Sequence, residues 1–151
     1  AELHASTTVI RDARKAQAVE RIYDAVNKLN ERMTDHFANV LDKIDEMLHR
    51  VESRTDKAEE RGLDVSSVEA EVVNAQSAIA EARAAVETQA AKVYEVQTTG
   101  NDATLRSEVG TIRQALHDDL AVVRDMVKAA RDAVRNAAVA LAQIPRVNEN
   151  E

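Results

Sequence analysis

The chain has no cysteine, one proline and three glycines, and aromatic side chains make up only 2% of its 151 residues. Without cysteine there is no disulfide, no thiol nucleophile and no thiolate metal ligand. Sheet proteins need turn residues at close intervals, and one proline with three glycines cannot supply them. Two tyrosines and one phenylalanine are too few to stack on the bases of a nucleic acid. No apolar run approaches the roughly 20 residues of a membrane span, and no signal-peptide hydrophobic region is visible, so membrane insertion is not expected.

Basic charge is also never concentrated along the sequence. Lysine and arginine number 20 against 27 aspartates and glutamates, for a net charge of −7. The basic residues are dispersed, and no segment gathers them into the stripe that a phosphate backbone requires. Nucleic acid is therefore not an expected partner. What the chain does have is 31% charged residues and abundant alanine and valine. That is the composition of long helices and coiled coils, and the fold class it predicts is all-α.

Apolar residues recur at helical spacing almost from end to end. The first stripe runs Val19, Ile22, Val26, Leu29, Met33, Phe37, Val40, Ile44, Leu48 and Val51. Leu29, Val40 and Val51 stand 11 residues apart, a spacing that gives nearly straight packing. Gly62 is placed to end this helix in a left-handed conformation, with Leu63 folding back on Ala58. Ser66 and Glu69 have the spacing of a capping box that starts the next helix. A gap this short makes the two helices antiparallel neighbours. The second stripe is Val68, Val72, Ala75, Ile79, Ala82, Val86, Ala90 and Val93. Gly100 with Asn101 or Asp102 marks a second turn. The third stripe contains Leu105, Val109, Ile112, Leu116, Leu120, Val123, Val127, Ala130, Val134, Ala138 and Leu141, and Pro145 closes it. Gly110, inside that helix, marks either a close contact or bend, or a tolerated surface position.

These signals predict a single helical domain with helices at about 8–61, 67–98 and 102–144 and a polar tail at 145–151. The architecture expected is an elongated antiparallel three-helix bundle or coiled coil. The second helix is too short to cover the start of the first. Val19, Ile22, Val26 and Leu29 therefore read as an uncovered partner-binding stripe, to be met by a second copy or another helical protein. The alternative is an up-down four-helix bundle, if the first helix breaks near residues 27–35, where Asn27, Asn30, Thr34 and Asp35 cluster.

Catalytic and metal-binding signals are sparse. Glu46 and His49 match the Glu-x-x-His motif of di-metal bundles once, but Leu48 holds the core position between them and the motif has no second copy. His36 and His117 flank core positions and read as ordinary boundary histidines, and His4 lies near the terminus. Asp118–Asp119 and Asp42, Asp45 and Glu46 lie in mid-helix, where a calcium loop does not form, and read as solvated faces. No phosphate loop, nucleophile elbow or zincin motif is present. The expectation is a protein without enzymatic activity or cofactor.

The stretch containing Arg32-Met33, Leu48-His49-Arg50-Val51-Glu52-Ser53-Arg54, Lys57 and Gly62-Leu63-Asp64-Val65-Ser66 resembles uncharacterised exported helical proteins of bacteria, many from candidate phyla. In these an Arg-Met helix, a Ser-Arg-x-x-Lys run and a Gly-x-Asp-Val-Ser turn recur before an alanine-rich helix. The likeness covers about residues 30–95. It implies a structural or protein-interaction factor, secreted or of the cell envelope, and carries no established activity. The start Ala1-Glu2-Leu3, small then acidic, fits a processed or trimmed end and points the same way, with the cytoplasm left open. The alternative function is a monomeric four-helix module that binds lipid or another small apolar ligand, with its cavity along the alanine-rich second helix.

Overall fold

The computed structural model describes the backbone of residues 2–95 and 102–148, and side chains within 11–95 and 104–148. It contains three helices: α1 (Glu2–Glu60), α2 (Ser66–Ala90) and α3 (Asp102–Ala142). All three pack against one another. The fold is all-α, a three-helix bundle in which α2 is antiparallel to α1 and α3 runs parallel to α1. The order of the core clusters shows this direction. Tyr23 and Val26 of α1 meet Leu116, the Phe37–Leu48 region meets Val123–Val134, and Val51 and Ala58 meet Ala137 and Leu141. His4, the Gly100–Asn101 turn and Glu149–Glu151 lie outside the residues with described side chains.

The first helix is continuous over 59 residues, so the four-helix alternative does not form. Its buried positions differ from the expected stripe. Tyr23, Asn30, Phe37, Ile44, Val51 and Ala58 are all buried and recur every seven residues, as do Thr34, Leu41, Leu48 and Thr55. The 11-residue spacing of Leu29, Val40 and Val51 is not the packing period, because Leu29 turns outward at 38% exposure. In α2 the buried positions Val68, Ala75, Ala82 and Gln89 keep the same period of seven, and in α3 Leu116, Val123, Ala130, Ala137 and Ile144 do so. A shared seven-residue period keeps one seam of each helix facing its partners over many turns. The period was obscured because three of its α1 positions, Asn30, Thr34 and Thr55, are polar. The two threonines satisfy themselves: the Thr34 hydroxyl donates to the Asn30 carbonyl at 2.9 Å and Thr55 to the Val51 carbonyl at 2.6 Å.

Between α1 and α2 the chain turns as expected at one end and differently at the other. Gly62 has φ +82°. Its N–H donates to Glu59 O at 2.9 Å and that of Leu63 to Ala58 O at 3.1 Å, a Schellman closure. The capping box is not formed. Glu69 N–H donates to the Val65 carbonyl, and Asp64 Oδ1 accepts from both the Ser66 N–H at 3.0 Å and the Ser66 hydroxyl at 2.7 Å. Those two donors hold the Asp64 carboxyl below its usual range. The Ser66 hydroxyl is engaged as a donor to a charged acceptor, which strengthens that bond, and the Glu69 N–H is taken by the Val65 carbonyl.

Residues past α3 are not a free polar tail. Gln143 to Asn148 form a turn in which Ile144 and Val147 are buried beside Ala58, Val65 and Leu141. The Arg61 guanidinium donates to the carbonyls of Arg146 and Val147, at 2.6 and 2.9 Å. Pro145 ends the helix, and the three-residue step from Ile144 to Val147 returns an apolar side chain to the bundle end. Ala138 is exposed and Ala137 takes its place inward. Gly110 is a tolerated surface position, since a Cβ there meets nothing within 4 Å. Gly62→Ala forces a side chain into the left-handed region and is expected to lower stability by about 1–2 kcal/mol in chemical denaturation, with the helical content retained.

Candidate interaction groove and the polar layer beside it

The second helix stops at Ala90, well short of the expected residue 98. Lys92–Glu95 is non-helical, with Val93 exposed at 68% and Tyr94 buried. The stop is made by α1. Asn30, 2% exposed, donates its amide to the Gln89 carbonyl at 2.9 Å and to the Lys92 carbonyl at 3.4 Å. In return Gln89 Nε2 donates to Asn30 Oδ1 at 2.9 Å. The Gln89 carbonyl, which also accepts from the Lys92 N–H at 3.2 Å, thus finds a second partner on another helix. Asn27 does the same for the extended segment: its Oδ1 accepts from the Tyr94 N–H at 2.9 Å and its Nδ2 donates to the Tyr94 carbonyl at 3.0 Å. A side-chain amide here takes the place of a neighbouring strand. The asparagines that suggested a break in α1 instead end α2 and hold the chain that follows it.

Tyr94 completes the layer. Its hydroxyl accepts from Gln89 Nε2 at 2.9 Å and donates to Asp119 Oδ2 at 2.7 Å, and Lys92 Nζ lies 3.2 Å from the same carboxylate oxygen. Asp119 is thus a bridge between the connecting segment and α3 and not merely a solvated acid. Burial first, and the Asp119 bond second, push the Tyr94 phenol up to about 12. Tyr23 is also raised, first by burial and then by Glu108. Its hydroxyl has no hydrogen-bond partner among the described residues.

Beyond this layer, among the described residues, α1 and α3 are the helices that form the start of the bundle. The expected partner-binding stripe is divided there. Val26 is buried, Val19 and Ile22 are half-buried, and Leu29 is exposed. The cover that sequence reasoning assigned to another chain comes in part from α3, whose Val109, Ile112, Leu116 and Leu120 pack in the same cluster. On the remaining side an open groove of about 290 Å³ runs between Ile22, Ala25, Val26 and Leu29 of α1 and Leu116 and Leu120 of α3. Arg113 and His117 form its rim. A second surface groove of about 460 Å³ lies between α2 and α3, at Ala84, Ala85, Val122 and Met126.

The remaining candidate residues are dispersed. His49 is exposed, with Nδ1 2.9 Å from its own helix's Asp45 carbonyl. His36 is exposed and its ring is tilted against Phe37 at 5.9 Å. Asp42 and Asp45 bind Arg83 of α2 at 2.9 and 3.6 Å, so this acid pair is an interhelical bridge. No group of three potential metal ligands occurs among the described residues, and no helix there is long and apolar enough to cross a membrane. Comparison with known proteins finds no match among family models, curated proteins or solved structures.

Gln89, Tyr94, Asp119 and Arg113 were not expected to matter. One signal for the early helix end was present: Val93, Tyr94 and Val96 are strand-forming residues within a short run. Asn30→Ala is expected to cost about 1–3 kcal/mol by removing its buried bonds to Gln89 and its bond to the Lys92 carbonyl, measured by urea denaturation. In an alkaline absorbance titration one tyrosine should ionise near pH 12 and disappear in Tyr94→Phe. The folded phenol is harder to ionise than the unfolded one, so its contribution to stability is complete below pH 10.0 and is lost as pH rises through about 12.

Proposed function

We propose that this chain is a non-enzymatic interaction protein. It takes a further helix, from a second copy or another helical protein, into the groove between α1 and α3. One observation carries the reading. Where α2 ends, the apolar surface of Ile22, Val26 and Leu29 is matched by α3 on one side and left open on the other. A groove with an apolar floor between two helices is the standard receptor for an amphipathic helix. The buried polar side chains support a structural role, because Asn30 and Gln89 bond each other across helices and Asn30 bonds the end of α2. The resemblance of residues 30–95 to exported helical proteins supports a bacterial envelope or exterior location.

A small apolar ligand is the second reading, favoured by the alanine-lined groove between α2 and α3. Light scattering after size exclusion, over a concentration series, separates the two. The interaction reading expects a mass that rises above 16.6 kDa with concentration. Leu29→Asp, at a position already 38% exposed, should return it to the monomer without loss of helicity. Val26 is less suitable for this test because it is buried against α3. A wild-type protein that stays monomeric while binding an apolar fluorescent probe would favour the ligand reading.

A further inference from the structure

The end of α2 also borders the groove of about 460 Å³ that it shares with α3, a volume within the range of small-molecule sites. The walls are apolar, with Ala84 and Ala85 from α2 and Val122 and Met126 from α3. Val122 is 61% exposed, an apolar side chain that the bundle leaves in water. The charged groups of the lining are Glu81, Lys92 and Asp119, two acids against one lysine, accompanied by the hydroxyl of Thr88 and the amide of Gln89. No residue of this lining is shared with the groove between α1 and α3.

Gln89 gives this groove its chemistry. The residue is only 3% exposed, and both hydrogens of its Nε2 are spent inside the bundle, on Asn30 Oδ1 and on the Tyr94 hydroxyl, each at 2.9 Å. Among the described residues no donor meets its Oε1. That oxygen is not sealed in, because the sealed side-chain atom without a partner among those residues is the Tyr23 hydroxyl. An amide oxygen left bare in an apolar wall is costly, and the groove is the side from which a donor can reach it. Asp119 repeats the pattern one hydroxyl away. Its Oδ2 takes the Tyr94 hydroxyl at 2.7 Å and the Lys92 ammonium at 3.2 Å, whereas its Oδ1 takes no donor among the described residues. The carbonyl end of a helix is negative, and the last turn of α2 holds no basic residue. The groove thus presents acceptors and negative charge beside an apolar wall, and the matching donors have to arrive with a guest.

We propose that this groove binds a small amphiphilic amine, a protonated amino group on a short alkyl or aryl body. An ammonium group carries three N–H donors and no acceptor, enough for both Gln89 Oε1 and Asp119 Oδ1, and its charge balances the second acid. A carboxylate or phosphate head would bring acceptors to acceptors and a like charge to Glu81 and Asp119. The apolar body lies along Ala84, Ala85 and Val122, and the flexible thioether of Met126 adapts to its shape. Lys92, with its side chain 45% exposed, is the resident counter-ion that competes with the guest for the Asp119 carboxylate. The inference rests on the ligand reading above and gives that ligand a head group. Helix docking between α1 and α3 is independent of it.

Titration calorimetry of the full chain with octylamine, octanol and octanoate, at neutral pH where octylamine is protonated, tests the head group at constant chain length. Octylamine should bind about 10-fold or more tightly than octanol, the difference expected of charge-assisted bonds, and octanoate should not bind. The Gln89 side-chain amide and the Met126 methyl should shift in NMR spectra on addition of octylamine. Asp119→Asn, which keeps an acceptor for Tyr94, should weaken octylamine by about 10-fold and leave octanol unchanged. Lys92→Met, which removes the competing cation, should tighten octylamine. Ala84→Phe, at an exposed position where the ring fills the groove, should abolish binding of both. Circular dichroism checks the fold of each variant, and the Lys92 and Ala84 arms stand if Asp119→Asn does not fold. Equal binding of octylamine and octanol overturns the ammonium head while the apolar-ligand reading stands. Octanoate bound in preference, and lost in Lys92→Met, gives the head the opposite charge and overturns the proposal. Shifts confined to the groove between α1 and α3 overturn the site. If none of the three probes binds, this inference and the apolar-ligand reading fail together, and the helix-docking reading is untouched.

Discussion

The bundle depends on a hydrogen-bonded polar layer between Asn30 and Gln89. Each is almost fully buried and occupies a position that elsewhere in its helix holds an apolar residue. A buried amide is costly unless its partners are met, and here both are met: each amide bonds the other helix, and Asn30 also takes the Gln89 carbonyl of α2 and that of Lys92 just beyond it. Such a layer sets register, because sliding α2 by one heptad along α1 would leave both amides facing apolar side chains. It also sets length. With its carbonyls satisfied from the side, α2 ends there, and the chain leaves as the extended segment that Asn27 and Asp119 hold through Tyr94.

Everything distinctive about the open end follows from that stop. A second helix continued to residue 98 would have packed further along α1 toward Val19. Where α2 stops, α1 and α3 share a groove whose floor is apolar and whose α3 rim carries Arg113 and His117.

Helix class, the unbroken first helix and the Gly62 turn were legible in the sequence because each rests on local chemistry. Apolar spacing, scarce turn residues and a glycine at a left-handed position need no tertiary partner to be read. The stripe Val19, Ile22, Val26 and Leu29 was legible as apolar but not as covered, since α3 had to be placed before its cover existed. The heptad escaped because a search for apolar residues passes over Asn30, Thr34 and Thr55. The Asp64–Ser66 bonds before α2, and the return of Ile144 and Val147 to the core, were also missed.

What the sequence by itself determined is the secondary structure and its polarity: long helices, their main turns, and which residues are apolar. Helical propensity and capping act within a turn or two of chain, so they are written locally. Tertiary structure decided where α2 ends and which part of the apolar stripe stays open. Those depend on side chains 59 or more residues apart meeting in one layer, as Asn30 and Gln89 do. Such a meeting is fixed by packing register, and no local pattern encodes it.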